Sequence, residues 1–132
     1  MAGERILMIE DDKEMAALGG LILEKEGFVV STANNGAAGL AVLDEQPVDL
    51  VLLDIMMEGM DGWEVLERMR ADERWQHVPV IMLTARHYLE DQQETARHAG
   101  QYSSYVVKPF VVSELIQEIR NVLAAHKLER GI

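Results

Sequence analysis

Short aliphatic runs alternate along this chain with longer segments of helical spacing. The runs are Ile6–Ile9, Phe28–Ser31, Leu50–Leu53, Val80–Leu83 and Tyr105–Val107. Those at 50–53 and 80–83 are apolar throughout, as strands buried on both faces should be. Between the runs, apolar residues recur at intervals of three and four, the period of one helix face. Met15, Leu18, Ile22 and Leu23 form a first stripe, Ala38, Leu40, Ala41 and Leu43 a second, and Val65, Leu66 and Met69 a third. Leu89, Gln93 and Ala96 give a weak fourth, and Leu115, Ile119, Val122 and Leu123 a fifth. Five strand–helix repeats predict an α/β fold with parallel pairing and right-handed crossovers.

The punctuation agrees with that reading. Gly27 stands where a helix C′ residue belongs, and Asn34-Asn35-Gly36 reads as a turn before the second helix. Pro47 closes that helix, Pro79 precedes the fourth strand, and Gly100 follows the fourth helix. Asp61 is placed to cap the third helix by accepting from its first-turn N–H groups. Ser113 is the corresponding candidate for the last helix. Gly19-Gly20 runs against the pattern, since each glycine costs a helix interior about 1 kcal/mol relative to Ala. Close packing of a neighbour is one explanation.

Length and composition narrow the class. A chain of 132 residues fits one domain with its own core, here read as residues 1–132 with a core at about 4–126 and a tail at 127–132. The stretch 126–132 reads equally as a terminus or as the start of a linker. Cysteine is absent, which removes disulfides, thiol chemistry and Cys-based zinc sites and fits a reducing, cytoplasmic setting. The opening Met-Ala-Gly-Glu-Arg leads straight into a strand and reads as no signal peptide. No apolar stretch approaches the roughly 18 residues of a membrane span. A net charge of −11 argues against a phosphate-tracking nucleic-acid surface, which needs clustered Lys and Arg.

The candidate chemistry lies where the runs end. Glu10 and Asp11 follow the first, Asp54 the third, Thr84 the fourth and Lys108 the fifth. In an open parallel sheet the carboxyl ends of the strands share one edge, and ligands bind there. Two carboxylates about 4 Å apart repel by roughly 4 kcal/mol at an effective dielectric near 20. Converging acids therefore take up a proton or a cation. Mg²⁺ suits them, preferring carboxylate oxygens and keeping several waters for a phosphate. A carboxylate can itself attack phosphorus and form an acyl phosphate, given a metal to offset charge and a cation to hold the phosphoryl oxygens. Lys108 can be that cation, and the bond to Pro109 restricts its backbone and is open to the cis form. Thr84 adds a hydroxyl. Taken singly, each residue also has an ordinary structural reading: a solvated acidic turn, a loop cap, a strand threonine, a surface lysine.

In order and spacing, Ile6-Leu7-Met8-Ile9-Glu10-Asp11-Asp12, Leu52-Leu53-Asp54-Ile55-Met56-Met57, Met60-Asp61-Gly62, Leu83-Thr84-Ala85 and Val107-Lys108-Pro109-Phe110 resemble the receiver domain of two-component response regulators. The resemblance covers nearly the whole chain. It implies a flavodoxin-like (βα)5 three-layer sandwich around a five-stranded parallel sheet of order 2-1-3-4-5. It implies Asp54 as phosphoacceptor. Asp11 and Asp54 would bind Mg²⁺ (or Mn²⁺) directly, Glu10 mainly through water, and the Met56 backbone carbonyl would complete the protein ligands. Thr84 and Lys108 would hold the phosphoryl group beside a small Ala85. Tyr105 would follow the Thr84 hydroxyl in a switch involving the fourth helix, fifth strand and fifth helix. Asp12 receives no ligand role.

The implied partners are a histidine kinase or histidine phosphotransfer protein as donor and a downstream effector domain or protein as output. A phosphorylation-dependent dimer is compatible with this; nucleic acid and membrane are not expected partners. Such a domain signals, and catalyses only its own phosphorylation and dephosphorylation. The chain departs from the pattern at Glu58, where the family often has Pro, and at Gly100–Tyr105, which is slightly longer than usual. Arg86 and Met56 flank the site at positions that tune dephosphorylation in the family. The polar His87, Gln92, Gln93 and His98 suit either a helix that shifts easily or a plain exposed one. Competing readings are a haloacid dehalogenase-like aspartyl phosphatase, a flavodoxin-type FMN binder and a non-phosphorylated receiver-like interaction module. The first usually has a second Asp two residues after its nucleophile, where this chain has Met56. The second needs a Ser/Thr/Gly phosphate loop where this chain has acids.

Overall fold

The computed structural model describes residues 3–85 and 92–130, apart from the side chains of Gln92 and Arg130. Strands and helices alternate: β1 (Arg5–Ile9), α1 (Lys13–Lys25), β2 (Val29–Ala33), α2 (Gly36–Glu45), β3 (Leu50–Asp54), α3 (Gly62–Ala71), β4 (Val80–Ala85), α4 (Gln92–Arg97), β5 (Ser104–Lys108) and α5 (Val112–Arg130). The strands form one parallel sheet in the order β2-β1-β3-β4-β5, as the resemblance implied.

Side chains on a strand alternate between faces, and here the alternation builds two cores. Leu7, Ile9, Val51, Leu53, Val80 and Met82 pack with residues of α2 and α3. Ile6, Met8, Leu50, Leu52, Ile81 and Leu83 pack on the other face with α1 and α5. The same alternation sorts the polar strand ends. Glu10 continues the phase of Ile6 and Met8, Asp54 that of Leu50 and Leu52, and Lys108 that of Val106, all toward the α1/α5 side. Thr84 follows Val80 and Met82 toward the other side. Tyr105 pairs with Met82 and Val107 with Thr84, so Tyr105 shares the face of Thr84.

Among the described residues, three helices start on side-chain caps. Asp61 accepts from the Glu64 N–H at 2.9 Å, as predicted, and Asn35 accepts from Ala38 at 2.8 Å. Asp12 accepts from Met15 at 3.1 Å, which gives this carboxylate a structural task apart from the acids beside it. Gly27 follows α1 with φ 98°, the left-handed value a C′ glycine supplies. The Lys108-Pro109 bond is cis.

Several expectations need correction. The second strand begins at Val29 and runs to Ala33; Phe28 is buried just before it and joins the α1/α5 core. Ser113 does not cap the last helix, because α5 begins at Val112, and Val111 O accepts from the N–H groups of Glu114 and Leu115. Helix α5 runs on through residues 127–130. Of the stripe predicted for α1, Leu23 is buried and Met15 and Ile22 pack against the α1/α5 core, but Leu18 is 61% exposed, and Ala16 and Gly20 are buried instead. Gly19 lies against β1. A Cβ there would stand 3.0 Å from Met8 Cε and 3.1 Å from its Sδ, so the missing side chain lets the helix lie close on β1. A Cβ on Gly20 would meet only ordinary contacts at 3.8 Å. Arg86, His87 and Leu89 lie outside the described residues.

Candidate functional site

The carboxyl edge of β1, β3 and β5 brings Glu10, Asp54 and Lys108 into contact. Ile9 pairs with Leu53 across β1 and β3, so the next residues, Glu10 and Asp54, fall side by side. Lys108 Nζ donates to Glu10 Oε1 at 2.7 Å and lies 3.2 Å from Asp54 Oδ1. Glu10 is 1% exposed and Asp54 5% exposed. Asp11 is exposed, and carboxylate oxygens of Glu10, Asp11 and Asp54 all lie within 4.8 Å of one another. These hard oxygen donors, with one side open to solvent, fit Mg²⁺.

Backbone groups fix the carboxylates further. The Asp12 N–H donates to Glu10 Oε2 at 3.3 Å, and the Met56 N–H approaches Asp54 Oδ1 at 3.4 Å. The Met56 side chain is exposed. Thr84 is buried, and its hydroxyl donates to the Ala85 carbonyl at 3.0 Å. Tyr105 is half-exposed on the edge strand. The structure thus joins Glu10, Asp11, Asp54 and Lys108 in one cluster. Thr84 and Ala85 end β4 beside it, Tyr105 lies three residues before Lys108 in β5, level with Met82, and Asp12 serves the helix.

Charge state follows from burial and pairing. Burial pushes the Glu10 carboxyl above the usual range, and the neighbouring Asp54 adds to that, while Lys108 partly offsets both. Burial opposes the charge on Lys108, but its bonds to Glu10 and Asp54 outweigh burial and raise its value. Without a metal, the ammonium group is the counter-charge of the buried acids.

One positioning residue was not singled out by spacing. A Cβ on Gly62 would stand 2.4 Å from the backbone oxygen of Asp54 and 2.8 Å from Ile55 Cα. The Gly62 N–H donates to Ile55 O at 2.8 Å. Helix α3 therefore begins directly against the backbone of the acceptor candidate. Its glycine was visible in Met60-Asp61-Gly62, but nothing local revealed what it faced.

The chain belongs to the response regulator receiver domain family, whose pattern matches residues 6–120. It is 40% identical over 122 residues to the heme response regulator HssR of Staphylococcus epidermidis, covering 92% of this chain and 52% of that protein. It is 39% identical over 120 residues to the transcriptional regulatory protein TcrA of Mycobacterium tuberculosis, covering 91% of this chain and 46% of that one. The chain spans about half the length of these curated relatives. Its fold is similar to that of the chemotaxis protein CheY4 of Vibrio cholerae, with a TM-score of 0.83 and 26% identity over 92% of this chain and 99% of that one. A structure of NtrX from Brucella abortus in complex with ADP matches with a TM-score of 0.88 and 28% identity, covering 99% of this chain and 29% of that one. The protein is accordingly a receiver domain of the two-component response-regulator class, a family that generally uses Mg²⁺. The haloacid dehalogenase and flavodoxin readings fall away. Among the described residues no helix is long and apolar enough to cross a membrane.

Proposed function

We propose that this domain is a cytoplasmic phosphorylation switch with Asp54 as its acceptor. The observation that carries the reading is one ammonium group, Lys108 Nζ, held against two buried carboxylates, Glu10 and Asp54, with the exposed Asp11 within metal-sharing distance. Glu10, Asp11, Asp54 and the Met56 carbonyl are the groups to hold Mg²⁺. When bound, that ion supplies positive charge opposite the phosphoryl oxygens.

An Asp54 carboxylate oxygen attacks the phosphorus of a phosphohistidine on a kinase or phosphotransfer protein. The new P–O bond forms as the P–N bond breaks, and the imidazole leaves with that electron pair. Lys108 turns from the carboxylates to a phosphoryl oxygen, and the Thr84 hydroxyl exchanges the Ala85 carbonyl for another. Ala85 leaves room beside the group. Water later attacks phosphorus, returning Asp54 and inorganic phosphate; the domain's catalysis is limited to these two steps on itself.

A phosphoryl group adds nearly two negative charges and three strong acceptors. Movement of Thr84 toward it vacates space on the face it shares with Tyr105, and the Tyr105 ring turns inward. The surface of α4, β5 and α5 changes and is read by an effector domain or protein, or by a second copy in a phosphorylation-dependent dimer. To move the active population from 1% to 99% the modification must favour that state by about 5.5 kcal/mol.

Intact mass after incubation with acetyl phosphate and Mg²⁺ tests the proposal. Wild type gains one phosphoryl group and Asp54→Ala gains none. A wild-type chain that stays unmodified would instead mark a non-phosphorylated interaction module.

A further inference from the structure

The proposed switch uses the backbone of Met56 and gives its side chain no task. That side chain is 61% exposed. The other methionines among the described residues are placed differently. Met8, Met69 and Met82 are fully buried, Met57 is buried, and Met15 and Met60 pack against the two cores. Met60 also closes on α2, where a Cβ on Gly36 would stand 3.0 Å from its Sδ. A thioether open to solvent is a target for oxidation to the sulfoxide. Among the described residues the fold therefore presents one sulfur to an oxidant and shelters the rest.

The place of this residue in the chain ties it to the acceptor. The Met56 N–H lies 3.4 Å from Asp54 Oδ1, and the side chain branches from the next backbone atom. Ile55 and Met57 on either side are buried. They pin the backbone at both ends of this one residue and leave its side chain in solvent beside the acceptor.

We propose that Met56 is a modification site for peroxide, and that its sulfoxide shortens the life of the acyl phosphate on Asp54. The effect on the signal rests on the phosphorylation reading above; the oxidation itself does not. A sulfur lone pair attacks one oxygen of hydrogen peroxide. The S–O bond forms as the O–O bond breaks, and the departing hydroxide takes the proton of the S–OH group and leaves as water. Sulfur loses two electrons and the peroxide gains them. The side chain keeps its length, but an apolar, weakly accepting sulfur becomes a polar, chiral group. The thioether offers water almost nothing; the S–O oxygen holds it by hydrogen bonds. Water is also the group that ends the signal by attacking phosphorus, and a site that admits it loses a reactive intermediate sooner. Oxidation thereby resets the switch from the solvent side, by a route that involves neither Thr84 nor Tyr105.

The test uses the full chain, as wild type and as Met56→Leu, each with and without limited hydrogen peroxide. Leucine keeps the backbone carbonyl and an apolar side chain of similar volume, without the sulfur. Tandem mass mapping follows the added oxygen before any phosphodonor is present. Met56 is expected to gain one oxygen atom while Met15, Met57 and Met60 are still unmodified. Each sample then reacts with acetyl phosphate and Mg²⁺, the donor is removed, and intact mass follows loss of the phosphoryl group. Peroxide is expected to shorten the half-life several-fold in wild type and to have no effect on that of Met56→Leu. Methionine sulfoxide reductases should restore the wild-type value. Oxidation of Met15 or Met60 as fast as Met56 would overturn the modification site. An unchanged or longer half-life with Met56 fully oxidised, or the same shortening in Met56→Leu, would overturn its effect on the signal. A wild type that takes up no phosphate before peroxide enters contradicts Asp54 as acceptor, and the effect on the signal falls with it, while the mass map still decides the oxidation site.

Discussion

Lys108 carries the electrostatics of this domain at the residue scale. Removing one partner from a buried ion pair costs about 3–5 kcal/mol. Lys108 keeps 20% of its side chain exposed, so Lys108→Met is expected to destabilise the metal-free protein by about 2–3 kcal/mol. Adding Glu10→Gln removes the stranded charge, and the double variant should recover part of that loss. Urea denaturation of the two single variants and the double variant in EDTA measures this coupling; strictly additive losses would contradict the pairing. The residue types at the site were legible because each polar group ends an apolar run. Their contacts were not, since Glu10 and Lys108 are 98 positions apart and only the sheet brings them together. The burial of His98 was not legible either, because it comes from Trp63 and Glu67 on α3, far from it in sequence.

Two glycines separate the elements that tolerate adjustment from those that do not. Gly62→Ala places a Cβ 2.4 Å from a backbone oxygen, which cannot rotate away. It should cost about 1–3 kcal/mol as α3 is pushed off β3, and impair acceptance of phosphate by Asp54. Gly19→Ala places its Cβ against the flexible end of Met8, and the gain in helix propensity of about 1 kcal/mol offsets that crowding. Its unfolding midpoint should stay near that of wild type. Thermal melts of the pair check both, and equal losses would show that the close approach of α3 to Asp54 is unimportant. Asp61→Ala should cost about 1 kcal/mol through its lost cap. Caps and strands were legible in local pattern. The facing of α1 was legible in Met15, Ile22 and Leu23 but not at Leu18, which is exposed, nor at Ala16 and Gly20, which carry little hydrophobic weight yet are buried.

For the whole molecule, parallel pairing followed from the strand–helix alternation, whereas the order 2-1-3-4-5 came with the family resemblance. Apolar runs do not state which strand lies beside which. The order matters because it sets β1 and β3 side by side and delivers their acids to one edge. A metal held there by Glu10, Asp11 and Asp54 should stabilise the fold, by about 2.7 kcal/mol at 100 times its dissociation constant. The unfolding midpoint should therefore rise with Mg²⁺, and Asp11→Asn should remove most of the rise while leaving the metal-free midpoint nearly unchanged. A midpoint indifferent to Mg²⁺ in wild type would speak against the site.

The most direct test of the account locates the phosphoryl group itself. After reaction with acetyl phosphate and Mg²⁺, borohydride reduces an aspartyl phosphate to homoserine, which peptide mass mapping places in the sequence. The account predicts homoserine at position 54 and at no other acid, with loss of the signal when Mg²⁺ is withheld. Reduction at Asp11, Asp12 or Glu10, or none anywhere in a fully folded sample, would contradict it.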